Sequence, residues 1–575
     1  MNSESGATRK LSYAHGAGGP PLWGCTIGEA LDRAAVLHPD RPALISRHQR
    51  LRYSYREFLA EVERAARGFL HLGVRKGDRV GVWTTNYAEW VITQFATAKI
   101  GAILVTVNPS YRAVELEYAL KQSECSTLVL MQGFRDCDYV ETLARVCPEF
   151  TSSAPGGLLS QRLPDLRNVI FVGGPVPAAG PRMLPWDDLI EMGRREPPER
   201  LREREAALDF DDPINIQYTS GTTGFPKGAM LSHHNIVNNG LLVGSCMKFT
   251  CHDRLAIPVP FYHCFGMVLG NMVCVTAGAA MILPAPHFNA LATLEAVEAE
   301  RCTALHGVPT MFIAELEHPE FQRFDLSTLR TGIMAGSPCP IEVMKRVVNE
   351  MHCAGLTIAY GLTETSPVVT QTTTEDPIEL RVATVGKPLP HTEIKILSPE
   401  GRIVPRGEPG ELCARGYMVM KGYYNNPAAS RGAIDQAGWL HSGDMATMDE
   451  SGYCRITGRV KDMICRGGEN IYPREIEEFL YSHPAVSDVQ VIGVPDCKYV
   501  EQVAAWIKLK DGAVCDADGI RSFCKGRIAD FKVPRYVKFV DSFPMTVTGK
   551  IQKYKMREAS IQEWGLEAAA KIETA

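Results

Sequence analysis

Between Thr219 and Gly228 the chain reads Thr-Ser-Gly-Thr-Thr-Gly-Phe-Pro-Lys-Gly, which gathers four hydroxyl side chains (Thr219, Ser220, Thr222, Thr223), the glycines Gly221, Gly224 and Gly228, and Lys227. Such a mixture suits a polyphosphate: glycines let backbone N–H groups approach the oxygens, hydroxyls add donors, and the lysine neutralises charge. On composition alone a flexible Gly/Thr surface loop is the alternative. A Walker-type loop ends in Gly-Lys-Ser/Thr, and here Lys227 lies between Pro226 and Gly228, which excludes it. Ile214 and Ile216 lead into the stretch and a helix-compatible run follows from Leu231, so a strand-to-helix setting is expected.

Four later stretches carry groups that complement such a loop. Tyr360-Gly-Leu-Thr-Glu-Thr365 joins an aromatic face that can stack on a purine to a carboxylate, Glu364, that can hold Mg²⁺ directly or through water. A plain turn is the other reading. Gly438-Trp-Leu-His-Ser-Gly-Asp444 puts a carboxylate after a tight turn, where Asp444 either accepts two ribose hydroxyls or caps the turn. Ile456-Thr-Gly-Arg-Val-Lys-Asp-Met463 is read as a hinge with Arg459 reaching a nucleotide, or as a charged surface turn. Thr546-Val-Thr-Gly-Lys-Ile551 presents Lys550 on a glycine turn, as a reactive-site lysine or an exposed one.

These groups need a scaffold. At 575 residues the chain is expected to hold two or more domains. A net charge of −5 offers no basic footprint for nucleic acid. The seventeen cysteines lack Cys-x-x-Cys pairs and zinc-type spacing, which points to reduced, mostly buried thiols. Capping boxes at Thr26/Glu29 and Ser54/Glu57 predict two helices, the second stopped by Gly73. Val80–Trp83, a helix near Trp90–Ile100 and Ile103–Val107 read as a βαβ unit, hence a doubly wound parallel sheet. Leu128–Met131 and Val169–Val172 read as further strands. The charged run from Glu191 to Asp212 is read as a solvated helix or linker bridging two sheet-forming halves. Met267–Leu283, interrupted by Asn271 and Thr276, is read as a buried core segment and not a membrane span. From Ala383 short strands between glycines and prolines suggest a small β-barrel or sandwich, and after Arg459 a compact α/β unit follows.

Taken together and in this order, these segments resemble the adenylate-forming superfamily of acyl-CoA synthetases, adenylation domains and firefly-type luciferases. Ile216–Lys227 fits its AMP-binding signature, and the likeness runs from about Thr26 to about Arg557. His233-His-Asn-Ile-Val-Asn-Asn239 and Arg466-Gly-Gly-Glu-Asn-Ile-Tyr-Pro473 look most like medium-chain fatty acyl-CoA synthetases. The resemblance implies an α/β fold: a large N-terminal domain of two doubly wound sheet subdomains plus a small β-barrel, then a small mobile α+β C-terminal domain. The expected extents are an N-terminal extension at 1–24, the adenylation domain at 25–458 and the C-terminal domain at 459–575, with its hinge at 459–463. Within the adenylation domain, 211–382 carries the phosphate loop and adenine site and 383–458 the barrel.

The activity it implies is a two-step ligation, in which a carboxylate and ATP give acyl-AMP and pyrophosphate, and coenzyme A then displaces AMP. By motif position, Thr219, Ser220, Gly221, Thr222, Thr223, Gly224 and Lys227 hold the β- and γ-phosphates, Thr363 meets the α-phosphate, and Glu364 places Mg²⁺. Tyr360, Gly361 and the Gly336-Ser337-Pro338 turn flank adenine, and Asp444 with Arg459 binds ribose. Lys550 bridges the carboxylate and the α-phosphate, Lys461 is the pivot, and Gly467 with Gly468 lines the pantetheine tunnel.

In Phe261-Tyr-His-Cys-Phe-Gly266 the family position of the acyl-pocket gate falls on His263, with a structural histidine as the alternative. No aspartate stands in that segment to hold a substrate ammonium, so an uncharged acyl tail is expected. A fatty acid is the first expectation; delivery to a carrier protein, an aryl acid, and a catalytically silent homologue are the competing ones. A homo-oligomer is left open. Met1–Pro21 makes a poor import signal, so cytoplasm is expected, with the mitochondrial matrix as the alternative.

Overall fold

Helices Ile27–Leu37 and Tyr55–His71 begin at the two predicted capping boxes, where Thr26 and Ser54 accept from the backbone of Glu29 and Glu57 and each glutamate reaches back to the cap. In the computed structural model, residues 10–153, 157–176, 183–219, 226–337, 339–459, 462–466, 469–545 and 551–570 are described. Both helices belong to the larger of two compact units, His15–Glu393 with Ala414–Leu440. Strand Arg79–Trp83, helix Ala88–Ile100 and strand Ile103–Thr106 form the expected βαβ unit, with the strands as parallel neighbours. Gly101 ends that helix at φ 68°, a left-handed cap that any Cβ would strain.

This unit contains two large sheets. In the eight-stranded sheet the order is Leu184–Pro185, Asn168–Phe171, Cys125–Leu130, Arg79–Trp83, Ile103–Thr106, Pro213–Thr219, Lys227–Ser232 and Gly422–Tyr423. The first six are parallel and the last two antiparallel. Winding reverses between Arg79–Trp83 and Ile103–Thr106, which opens a crevice at the carboxyl ends of the strands.

The charged run does not separate two sheets as expected. It belongs in part to helices Trp186–Arg195 and Pro198–Glu205, and the next strand, Pro213–Thr219, pairs with Ile103–Thr106 in the sheet already begun. The reason lies in its anchoring. Lys99, buried on the helix of the βαβ unit, ion-pairs with Glu205 at 2.6 Å and Asp32 at 2.8 Å, while Leu201 is buried.

The nine-stranded sheet runs Lys387–Pro388, Val368–Gln371, Gly355–Gly361, Thr331–Met334, Ala304–Gly307, Arg254–Ala256, Ala280–Leu283, Pro42–Ser46 and Leu51–Ser54. Its winding reverses between Ala304–Gly307 and Arg254–Ala256, so the segments after Ala256, Met334 and Gly361 all leave carboxyl strand ends. Met267–Leu283 is core, as predicted: the π-helix Phe265–Met272, the helix Val273–Ala277 and the strand Ala280–Leu283 are largely buried. Among the described residues no helix is long and apolar enough to cross a membrane.

The second unit takes the N-terminal residues up to Ala14, Ile394–Cys413 and His441–Ala575. The predicted short strands make a five-stranded sheet in the order Tyr13–His15, Thr392–Leu397, Gly410–Gly416, Leu440–Met448 and Cys454–Arg459. The terminal α/β unit has the strand order Glu469–Ile471, Ile464–Arg466, Val500–Leu509 and Val486–Asp496, with Tyr536–Phe539 parallel to Val500–Leu509. Helix Pro473–Tyr481 buries Ile476 and Leu480 against it. None of the seventeen cysteines is in a disulfide, and most of them are buried.

Candidate functional site

Thr219 and Lys227 face each other at the end of an antiparallel pair, Pro213–Thr219 with Lys227–Ser232. Strand Pro213–Thr219 is thus followed by an antiparallel strand and not directly by a helix, which corrects the strand-to-helix expectation. Leu231 completes a strand, and helix His233–Cys246 starts only after Ser232 caps it. Strand wins because Lys227–Ser232 gains ladders on both sides, with Pro213–Thr219 and with Gly422–Tyr423. Ser220, Gly221, Thr222, Thr223 and Gly224 lie outside the described residues. The exit from the loop is pinned by the Tyr118 hydroxyl, which donates to Pro226 O at 3.1 Å.

Glu364 sits on a short turn built at a carboxyl strand end. Strand Gly355–Gly361 delivers Tyr360 and Gly361, and a Cβ on Gly361 would lie 1.7 Å from Pro367 O, so no side chain fits there. Thr363, Glu364 and Thr365 form one 3₁₀ turn, closed by Leu362 N donating to the Thr365 hydroxyl at 2.9 Å. Ser366 then donates to Met418 O at 2.7 Å, and Met420 N donates to Glu364 O at 2.9 Å. Those bonds lay the segment Met418–Tyr423 along the turn.

Tyr423 is the consequence, and nothing in its sequence context marked it. Its hydroxyl donates to Glu364 Oε1 at 2.7 Å, and Lys227 Nζ lies 5.2 Å from the centre of its ring. The structure thus brings Lys227 and Glu364 together through a third residue. Burial, then the Glu364 carboxylate, push the Tyr423 phenol well above its ordinary pKa, so it remains a donor at any working pH. The arrangement offers a cation beside a hairpin loop and a carboxylate with one oxygen outside the tyrosine bond. A hard cation that prefers oxygen, such as Mg²⁺, fits that second oxygen.

Gly336, at φ 91°, and Ser337 follow strand Thr331–Met334, the parallel neighbour of Gly355–Gly361, which puts them at the same edge as Tyr360. Pro338 lies outside the described residues. His263 belongs to a segment hung from Asn86, which follows strand Arg79–Trp83. Asn86 accepts from Phe261 N at 3.0 Å and donates to Val259 O at 2.9 Å. A Cβ on Gly266 would come 2.4 Å from Pro260 O, so the segment turns tightly. His263 is half-buried, and its Nδ1 accepts from Phe265 N at 3.2 Å, which leaves the proton of the neutral ring on Nε2.

In the second unit Asp444 and Arg459 are directly opposed across strands Leu440–Met448 and Cys454–Arg459, with Arg459 Nε 3.1 Å from Asp444 Oδ1. The turn before Asp444 is braced from the neighbouring strand. Glu411 Oε1 accepts from Gly443 N at 3.0 Å, Glu411 Oε2 lies 2.8 Å from His441 Nδ1, and Asp444 N donates to the Ser442 hydroxyl at 3.0 Å. Glu411, Cys413 and His441 present oxygen, sulfur and nitrogen within 4.8 Å of one another. Both Glu411 oxygens are engaged, so this group holds the turn. Lys461, Gly467, Gly468 and Lys550 lie outside the described residues.

The sequence model for the AMP-binding enzyme family matches residues 31–424, and that for the AMP-binding enzyme C-terminal domain matches residues 475–550. The chain belongs to the AMP-binding enzyme family. Among relatives of this AMP-binding enzyme, YngI of Bacillus subtilis (strain 168), a provisionally named acyl-CoA synthetase, is 54% identical over 95% of this chain and 98% of its own. The mitochondrial medium-chain acyl-CoA ligase ACSF2 of Bos taurus is 46% identical over 97% of this chain and 91% of its own. Among solved structures, the anthranilate CoA ligase AuaEII in complex with anthranoyl-AMP superposes with a TM-score of 0.83 at 27% identity, covering 95% of this chain and 99% of that one. ATP-bound MatB from Rhodopseudomonas palustris gives 0.80 at 28% identity, covering 94% and 100%.

Proposed function

We propose that this AMP-binding enzyme is an ATP-dependent fatty acid–CoA ligase that forms acyl-AMP with release of pyrophosphate and then passes the acyl group to coenzyme A. The observation that carries it is the placement of Lys227 and Glu364 against the same side chain, Tyr423, at the loop end of the strand pair where Thr219 faces Lys227. Adenylation brings an anion to a polyanion, and the bound Mg²⁺ supplies charge neutralisation and Lewis-acid polarisation of the phosphates. Lys227 and the loop hydroxyls hold the β- and γ-phosphates as they become pyrophosphate, and Thr363 meets the α-phosphate. Tyr360, Gly361, Gly336 and Ser337 flank adenine, while Asp444 and Arg459 bind ribose. Lys550 bridges the carboxylate and the α-phosphate, and a C-terminal domain at 459–575, turning about Lys461, brings Gly467 and Gly468 to the thiol for the second step.

A medium-chain acid is the proposed substrate. Its support is the name of the Bos taurus relative and the sequence of Phe261–Phe265, which contains no aspartate to hold a substrate ammonium. The proposed compartment is reducing, cytoplasmic or mitochondrial, in keeping with thiols that form no disulfide. ATP–pyrophosphate exchange over a panel of fatty and aryl acids, followed by thioester formation with and without coenzyme A, tests the reading. Exchange with medium-chain acids and coenzyme A thioesters is the expected result; exchange without any thioester points to delivery to a carrier protein.

A further inference from the structure

We infer that Tyr423 is a positioning residue that holds Lys227 and Glu364 apart and keeps both available for magnesium-bound triphosphate. This rests on the reading of Lys227 and Glu364 as phosphate and metal contacts. A lysine and a glutamate left alone beside an anion site attract each other, and their ion pair would occupy the groups the ligand needs. Here they meet different parts of one phenol. The ammonium of Lys227 sits 5.2 Å from the ring centre, and Glu364 Oε1 takes the hydroxyl hydrogen at 2.7 Å. Among the described residues Lys227 forms no ion pair and has the Tyr423 ring beside its ammonium, and the Glu364 carboxylate has Tyr423 as its hydrogen-bond partner.

The phenol is not free to swing away. Tyr423 is 9% exposed, pairs with Ala229 two residues beyond Lys227, and its backbone N–H donates to Ser430 Oγ at 2.8 Å. Strand pairing therefore sets the ring beside Lys227, and the Met420 bond to Glu364 O sets the hydroxyl beside the carboxylate. One side chain ties the hairpin to the Glu364 turn without letting their charges collapse together.

The two jobs separate by substitution. Tyr423→Phe keeps the ring under Lys227 and removes the donor to Glu364. It should raise the Mg²⁺ concentration needed for half-maximal ATP binding by about tenfold, the size of a lost hydrogen bond to a charged group, and leave binding of metal-free ATP unchanged. Tyr423→Leu removes both contacts, frees Lys227 to pair with Glu364, and should weaken metal-free ATP as well. Equilibrium binding of ATP by calorimetry, and Mn²⁺ binding followed by its paramagnetic resonance spectrum with a non-hydrolysable ATP analogue, read these effects without turnover. A packing role alone would lower Tm and leave the metal dependence unmoved. Unchanged Mg²⁺ dependence in Tyr423→Phe, alongside a shift in Glu364→Gln, overturns the inference while the Glu364 assignment stands. No shift in Glu364→Gln overturns that assignment and the inference with it.

Discussion

The backbone N–H of Gly443 donates to the Glu411 carboxylate, at Oε1, over 3.0 Å, and this bond fixes the turn that presents Asp444. Gly443 has φ 69°, and the same carboxylate also holds His441 through its other oxygen. Asp444, 6% exposed, is thus placed from the neighbouring strand before any ligand arrives. Preorganisation of this kind moves substrate affinity when it is lost.

Glu411→Ala leaves Asp444 itself intact and removes its brace. The expected result is a rise of about tenfold in the KM for ATP in pyrophosphate exchange, with kcat changed less, because a polar backbone group and a histidine lose their acceptor. Asp444→Ala should cost more than Glu411→Ala in the same assay. Equal KM values for wild type and Glu411→Ala would show that the turn holds without the carboxylate.

Glu315 is a second buried carboxyl with a different consequence. It lies on helix Pro309–Leu316, is 1% exposed, and neither oxygen has a hydrogen-bond partner among the described residues. Burial raises its pKa well above the ordinary value, so the native chain holds a proton that the unfolded chain releases. Its share of stability is full below the unfolded pKa and is lost as pH rises through the folded one. Glu315→Gln should therefore stabilise the protein at pH 8, on the order of 1–3 kcal/mol, and do little near pH 4.5. Thermal melts at both pH values check this; an equal gain at both would exclude ionisation as the cause.

Two interior histidines set the acid limit. His233 Nδ1 accepts from Ile27 N at 3.1 Å, and His306 Nδ1 accepts from Ile333 N at 3.2 Å. Burial lowers His233 to about 3 and His306 to about 4. Above the unfolded value of 6.5 both states are neutral and the stability is complete. Below it the unfolded chain takes up protons first, and each histidine costs about 1.4 kcal/mol per pH unit until its folded pKa is reached. Tm measured from pH 7 to pH 5 should fall, and the fall should be shallower in His306→Gln.

How much of this was legible depended on the range of the interaction. Thr26/Glu29 and Ser54/Glu57 are caps closed within three residues, and the βαβ unit ending at Thr106 follows from local period and one glycine. The helix expected from Leu231 starts only at His233, because the short run Lys227–Ser232 has no period of its own and its strand partners on both edges are tertiary. Tyr423 could not be found at all. Its meaning comes from Glu364, 59 residues earlier, and from a strand pairing with Ala229 that no local pattern announces. The same holds for Glu205, whose charge reads as solvated until Lys99, 106 residues away, is seen to bury against it.

Lys550 supplies the sharpest test of the two-step reading. If it bridges the carboxylate and the α-phosphate in adenylation alone, Lys550→Ala removes a transition-state contact from one half-reaction and leaves the other untouched. Pyrophosphate exchange should fall by orders of magnitude, while thioester formation from supplied acyl-AMP and coenzyme A stays within a few-fold of wild type. Lys461→Pro, at the proposed pivot, should instead slow the passage between the two half-reactions, so that acyl-AMP accumulates in single-turnover experiments. Equal losses in both half-reactions for Lys550→Ala would mean that the lysine serves a site common to both steps, and the domain alternation proposed around Lys461 would fall with it.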